Sequence, residues 1–135
     1  MRRFILLFLS LFILSELWGE GVEVYLSPQR NLEDILIREI EGAKKEITGA
    51  LYIVRGRVGK ALIKVKRRGV KASILVEEDN AYSPFSFYPR LQNENIAMID
   101  NKKSLMHHKF MVMDRKKVLT GSYNPGASPY QFNDL

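Results

Sequence analysis

The sequence predicts an α/β layer fold, a mixed β-sheet flanked by helices. Three observations carry that expectation. Short apolar runs rich in β-branched residues alternate with two segments of helical periodicity between Val22 and Val76. Two late strands separated by the polar Asp114-Arg115-Lys116-Lys117 read as a hairpin. No internal repeat or low-complexity linker divides the 135 residues, a length that suits one domain with a modest core.

The elements follow in order. Val22 to Leu26 reads as a strand, broken by Ser27-Pro28. Asn31 is a helix N-cap, with Glu33 and Asp34 in the first turn where carboxylates favour the helix dipole. Leu32, Ile35, Leu36, Ile40, Ala43 and Ile47 form an apolar stripe, which carries that helix to about Lys45. Ile47 to Val54 reads as a buried strand. A second helix covers Val58 to Arg68 and stops at Gly69. Strands follow at Val70–Val76, Ile96–Ile99, Leu105–Met113 and Val118–Thr120. The segment 77–95 is the least regular. Its Tyr82, Phe85, Phe87 and Tyr88 either form an aromatic lip on which bases stack or pack on their own domain.

Residues 1–21 read as an export signal. Arg2 and Arg3 precede an apolar run from Phe4 to Leu14 that is too short to span a bilayer comfortably. Gly19-Glu20-Gly21 offers small residues at a cleavage spacing, so the domain proper is expected over 22–135. The alternatives are a protein exported to the periplasm or secreted, and one held at a membrane by an uncleaved segment 1–21. Net charge is +6 with or without that segment, since it contains two arginines and two glutamates. A basic chain favours anionic partners. Cysteine is absent, which excludes disulfides, thiolate metal sites and a cysteine nucleophile. The two histidines are adjacent and show no metal-ligand spacing, so neither metal nor other cofactor is expected.

The richest stretch is His107-His108-Lys109, then Asp114, then Gly121-Ser122-Tyr123-Asn124. It reads H-x-K, four residues, D, six residues, G-S-x-N. In a strand, side chains alternate faces, so His107 and Lys109 point together and His108 points away. Met111 and Met113 continue the His107 face as core filler. His108 is expected to pack or hydrogen-bond behind the sheet. This pattern resembles the HKD motif of the phospholipase D superfamily, and more closely its small single-motif bacterial endonucleases. The resemblance extends to Val22-Glu23-Val24-Tyr25, Ala43-Lys44-Lys45, Ala50-Leu51-Tyr52, the run Lys66 to Lys71 and Met106 to Val112. It covers most of residues 22–134, and the match is poor over 80–95.

A phosphodiester repels nucleophiles, so catalysis needs cations or donors on its oxygens, a nucleophile, and an acid for the leaving group. Lys109 supplies charge. Ser122 and Asn124 supply donors from a loop in which Gly121 lets the backbone approach. His107 attacks through a ring nitrogen, giving a phosphohistidine that water resolves. The leaving oxygen still needs a proton carrier, and no further histidine exists. The resemblance implies two motifs meeting at one site, hence a symmetric homodimer with a His107 from each subunit. It also implies that Asp114 orients or charges a histidine, although a turn-forming role suits it equally. Asp134 is a candidate for the downstream carboxylate of related sequences. Those chains continue with a strand and usually a helix, elements the fold is expected to lack after Leu135.

Three functions fit. One is a nuclease cutting DNA or RNA with little sequence preference. A second is a phospholipase acting on lipid phosphodiesters, with membrane contact only through residues 1–21. A third is a nucleic-acid-binding module that has lost activity. Lys60, Lys64, Lys66, Arg67 and Arg68, with Arg55, Arg57, Lys102 and Lys103, guide a nucleic-acid backbone or form an ordinary solvated face.

Overall fold

A computed structural model describes residues 21–26, 31–100 and 104–125. The expected signal apart from Gly21, together with Lys102, Lys103 and Asp134, lies outside the described residues.

Asn31 begins the first helix as expected. Its side chain accepts from the Asp34 N–H at 3.3 Å, and α1 runs Leu32–Gly42. It stops before Lys45 because the backbone N–H groups of Lys44 and Lys45 are held elsewhere, by the Asp114 carboxylate. Strand β1 follows at Glu46–Leu51, and helix α2 at Gly56–Arg67. Gly69, at φ 99°, ends α2. Val70 N–H donates to Val65 O and Gly69 N–H to Lys66 O, the paired bonds of a left-handed helix stop. Strand β2 is Lys71–Glu77.

The segment expected to be least regular carries two short helices, α3 at Glu78–Ala81 and α4 at Tyr88–Asn93. The Glu77 side chain caps α3 by accepting from Asn80 N–H, and Pro89 suits the first turn of α4. These are local capping effects that apolar periodicity does not register. Three strands complete the fold: β3 at Ala97–Asp100, β4 at Lys109–Met113 and β5 at Lys117–Thr120. Asp114 and Arg115, at φ 54° and 57°, supply the left-handed pair of a tight hairpin.

The five strands form one sheet in the order β3-β2-β1-β4-β5. The first three lie parallel, and β4 and β5 add antiparallel neighbours. The mixed α/β sheet is therefore the one expected. The strand expected over 22–26 has no ladder, and Val22 and Val24 are 92% and 77% exposed.

The core lies on one sheet face. Ile47, Leu51, Ala72, Ile74, Val76, Met111 and Met113 share that face through the register and are buried. Leu36 and Ile40 of α1, Val58, Leu62 and Val65 of α2, and Tyr88 and Leu91 of α4 close over them. On the opposite face Thr48, Ser73, Met98 and Val118 are exposed, so the described helices cover one side only.

Candidate active site

Lys109 pairs with Leu51 and therefore stands at the carboxyl end of β1, on the face that carries the helices. His107 precedes the assigned strand, which is shorter than the expected Leu105–Met113. The pairing nevertheless continues: Tyr52 N–H donates to His108 O at 2.8 Å. This extra bond keeps the alternation that puts His107 beside Lys109. Lys109 Nζ lies 2.9 Å from His107 Nε2. A protonated Lys109 has no acceptor, so it donates and the ring nitrogen accepts. The imidazole is exposed and the ammonium half-buried. Burial holds the Lys109 pKa below the usual lysine value.

Tyr52 joins the pair, and sequence reasoning missed it. Its ring meets the His107 ring edge to face at 4.4 Å between centroids. The same ring takes Lys109 Nζ at 5.2 Å from its centroid. The pairing of β1 with β4 brings Tyr52 alongside His108, and the bend at Tyr52, past the end of β1, breaks the alternation and leaves its ring against His107 and Lys109. The sequence signal was the motif-like Ala50-Leu51-Tyr52, which read as part of one buried strand.

His108 points to the opposite face, as the alternation required. It does not pack behind the sheet. It stays exposed, 6.3 Å from the Phe110 ring, because no described helix covers that face. Met111 and Met113 are buried core, as expected.

The loop after β5 returns to the same end, since Thr120 pairs with Phe110. Ser122 and Lys109 line one cavity of about 640 Å³ together with Leu51 and Tyr123. Asn124 Oδ1 is buried without a hydrogen-bond partner. Arg55 N–H donates to Pro125 O at 3.2 Å and ties the loop to the chain beyond β1. A side chain added at Gly121 would meet nothing within 4 Å, so the chain's own packing does not require glycine there.

Asp114 requires a correction. It lies at the far end of β4 from His107, seven residues away and roughly 20 Å along an extended chain. Its carboxylate accepts from the backbone N–H groups of Lys44, Lys45 and Glu46 at 2.9, 2.7 and 3.0 Å. Those bonds, from Glu46 first and then Lys44 and Lys45, hold its pKa below the usual carboxylate value. Within the chain Asp114 therefore anchors the turn between α1 and β1 and does not touch its own His107.

The basic cluster is largely occupied. Lys64 pairs with Glu41, Arg67 with Glu94, and Arg57 with Glu33 and Asp34. Arg68 donates to the carbonyls of Glu41 and Ala43. The solvated-face reading suits these residues better than backbone guidance. Among the described residues no three His, Cys, Asp or Glu side chains converge as a metal site.

A mixed sheet with an imidazole and an ammonium at its carboxyl edge, and a hydroxyl-bearing loop beside them, defines the class of α/β domain. The chain belongs to the phospholipase D superfamily: residues 36–134 match the family described as "Cardiolipin synthase, PLD-like domain". It is 31% identical over 118 residues to a phospholipase D of Rickettsia prowazekii (strain Madrid E), covering 86% of this chain and 58% of that protein. The chain thus spans little more than half the length of that relative. Among solved structures it is similar to Nuc, a phospholipase D family member from Salmonella typhimurium. That match has a TM-score of 0.66 at 25% identity, over 76% of this chain and 70% of Nuc. NucT from Helicobacter pylori shares the fold, with a TM-score of 0.61 at 22% identity over 74% of this chain and 72% of NucT. Members of this superfamily are phosphodiesterases.

Proposed function

We propose that this protein is a metal-independent phosphodiesterase that cuts DNA or RNA through a covalent phosphohistidine. The observation that carries the chemistry is the 2.9 Å contact between Lys109 Nζ and His107 Nε2 at the open edge of the sheet. The net charge of +6 favours a polyanionic substrate over a neutral one.

At rest the Lys109 ammonium occupies the lone pair of His107 Nε2. An arriving phosphodiester offers Lys109 stronger, charged acceptors, and that exchange frees the ring nitrogen. Nε2 then attacks phosphorus. A P–N bond forms, the P–O bond to the leaving alcohol breaks, and the leaving oxygen takes up a proton. Water next attacks phosphorus and gives its proton to the group that had protonated the leaving oxygen, the P–N bond breaks, and the imidazole returns. Ser122 and Asn124 donate to the non-bridging oxygens as charge builds there. The proton donor is missing within one chain, since His108 faces away beside Phe110. A homodimer with the partner's His107 across a two-fold axis supplies it. Residues 1–21 direct the chain out of the cytoplasm, and intact mass of the exported protein checks that proposal.

Purified protein should nick plasmid in EDTA, and His107→Asn should abolish the activity. Mixing His107→Asn with Lys109→Ser chains should give mixed dimers with activity distinct from either parent. A fully active monomer in sedimentation refutes the shared site. Loss of nicking in EDTA refutes the metal-free reaction.

A second reading has one specific observation behind it. The cavity that reaches Lys109 is walled by Leu32, Ile35, Leu36, Leu51 and Leu119, an apolar lining suited to an acyl chain. A lipid phosphodiesterase uses the same His107 and Lys109 chemistry. Release of headgroup alcohol from phospholipid vesicles in EDTA, without plasmid cleavage, selects this reading.

A further inference from the structure

Three residues past Tyr52, which packs on His107 and Lys109, begins a second pair of side chains that the reaction does not use. Arg55 follows Tyr52 by three residues, so it lies within about 10 Å of the residue that packs on both groups. Its backbone N–H holds Pro125 O, on the loop of Ser122 and Asn124. Its guanidinium carbon lies 5.7 Å from the Phe85 ring centroid.

Arg55 differs from the ion-paired cations of the helix that follows it. Arg57, Lys64 and Arg67 each hold a carboxylate. Among the described residues Arg55 forms no ion pair, and its Nε is buried without a hydrogen-bond partner. A buried donor left empty is costly and calls for a partner such as a water or an ion.

Phe87 and Tyr88 are buried, and Tyr82, 64% exposed, packs edge to face on Tyr88, whereas Phe85 is 74% exposed with the Arg55 guanidinium against it. The loop that carries it is anchored on both sides. Phe87 N–H donates to Val54 O at 2.9 Å, and the Phe87 ring lies so close to Gly59 that a methyl there would overlap it. Ser83 N–H and hydroxyl both donate to Asn80 O. A firmly held loop therefore presents an apolar ring to water, with a cation against it.

We infer that Arg55 and Phe85 form a nucleotide subsite adjoining the phosphodiester pair, a reading that rests on the nuclease function proposed above. Arg55 binds a non-bridging oxygen of the phosphate next to the scissile one. Phe85 stacks on the flanking base, which extends the ring system already begun by the guanidinium plane. Stacking needs a base with a free face, so the subsite selects single strands over duplex.

The test uses the full chain with two substrates, a single-stranded oligonucleotide and bis(p-nitrophenyl) phosphate, which has no flanking nucleotide or second phosphate to occupy the subsite. Phe85→Ala should lower the ratio of kcat/KM for oligonucleotide over small diester by about tenfold, mainly through KM. Phe85→Trp should keep or raise that ratio. Arg55→Gln should lower it too, and should reduce the salt slope of oligonucleotide binding by about one. A wild-type enzyme that cuts the oligonucleotide with a ratio unmoved by Phe85→Ala overturns the subsite and leaves the nuclease reading standing. A wild-type enzyme that turns over the small diester or lipid vesicles but no oligonucleotide overturns both.

Discussion

Tyr52→Ala should cripple catalysis without unfolding the protein. The Tyr52 ring touches both members of the central pair. It meets His107 edge to face at 4.4 Å and lies under the Lys109 ammonium at 5.2 Å. An edge-to-face pair contributes about 0.5–1.5 kcal/mol beyond area burial. A partly buried cation–π contact contributes about 0.5–2 kcal/mol. Together they hold the pair in place by roughly 1–3.5 kcal/mol, so kcat/KM should fall by roughly 5- to 400-fold. Both contacts are made by the ring and neither needs the hydroxyl, so Tyr52→Phe should stay within about twofold of wild type. The assay is turnover of bis(p-nitrophenyl) phosphate in EDTA, with circular dichroism to verify the fold. If Tyr52→Phe loses as much as Tyr52→Ala, the hydroxyl acts and the positioning argument is wrong. If Tyr52→Ala keeps full activity, His107 and Lys109 need no positioning ring.

The remaining predictions concern charge and packing. Burial lowers the Lys109 pKa, so its positive charge is lost as pH rises through a value below about 10.4. Activity should fall on that alkaline limb while stability rises slightly, because the folded state then no longer buries a charge. Lys109→Arg should carry the limb to higher pH, and a pH–rate profile beside a pH–melting profile checks both signs. Asp114 is the opposite case. Its folded pKa is depressed, so its contribution is complete above about pH 4 and disappears as pH falls through the folded value. Asp114→Asn should melt earlier than wild type at pH 7, and the gap should close in acid; a gap that persists at low pH contradicts the anchoring role. Gly59→Ala forces a methyl into the Phe87 ring, an overpacking cost of about 2 kcal/mol. Its melting temperature should drop by roughly 10 °C, measured by thermal unfolding.

Sequence periodicity was sufficient for elements whose signals are local. The Asn31 cap, the Gly69 stop and the buried Met111 and Met113 sit where apolar spacing and capping chemistry put them. Local reasoning did less well wherever a distant residue decides the outcome. Helix α1 ends early because Asp114, some seventy positions along, takes the N–H groups that a longer helix would use. Tyr52 belongs to the site because β1 pairs with β4 and the chain bends at Tyr52, and local sequence pattern encodes neither. The segment 22–26 alternates like a strand, yet no described strand pairs with it, and alternation without a partner makes no ladder. The basic residues of α2 fitted either backbone guidance or a solvated face in sequence, and Arg57, Lys64 and Arg67 take carboxylate partners from α1 and from Glu94 just past α4.

The structure divides the H-x-K…D pattern into two jobs at opposite ends of one strand. His107 and Lys109 face each other at one end, where β1 and β4 open to solvent. Asp114 closes the other end by gathering three backbone N–H groups of the α1–β1 turn. The spacing of the motif is therefore the length of β4. Inserting one residue between Lys109 and Asp114 would reverse the faces of everything on one side of the insertion. Either the imidazole and ammonium would turn to the uncovered face beside Phe110, or the carboxylate would leave its three donors. A one-residue insertion at Val112 should consequently abolish activity or lower stability sharply, whereas Asp114→Asn should reduce stability and spare the reaction at His107. An insertion variant that keeps both would show that strand length does not set the motif.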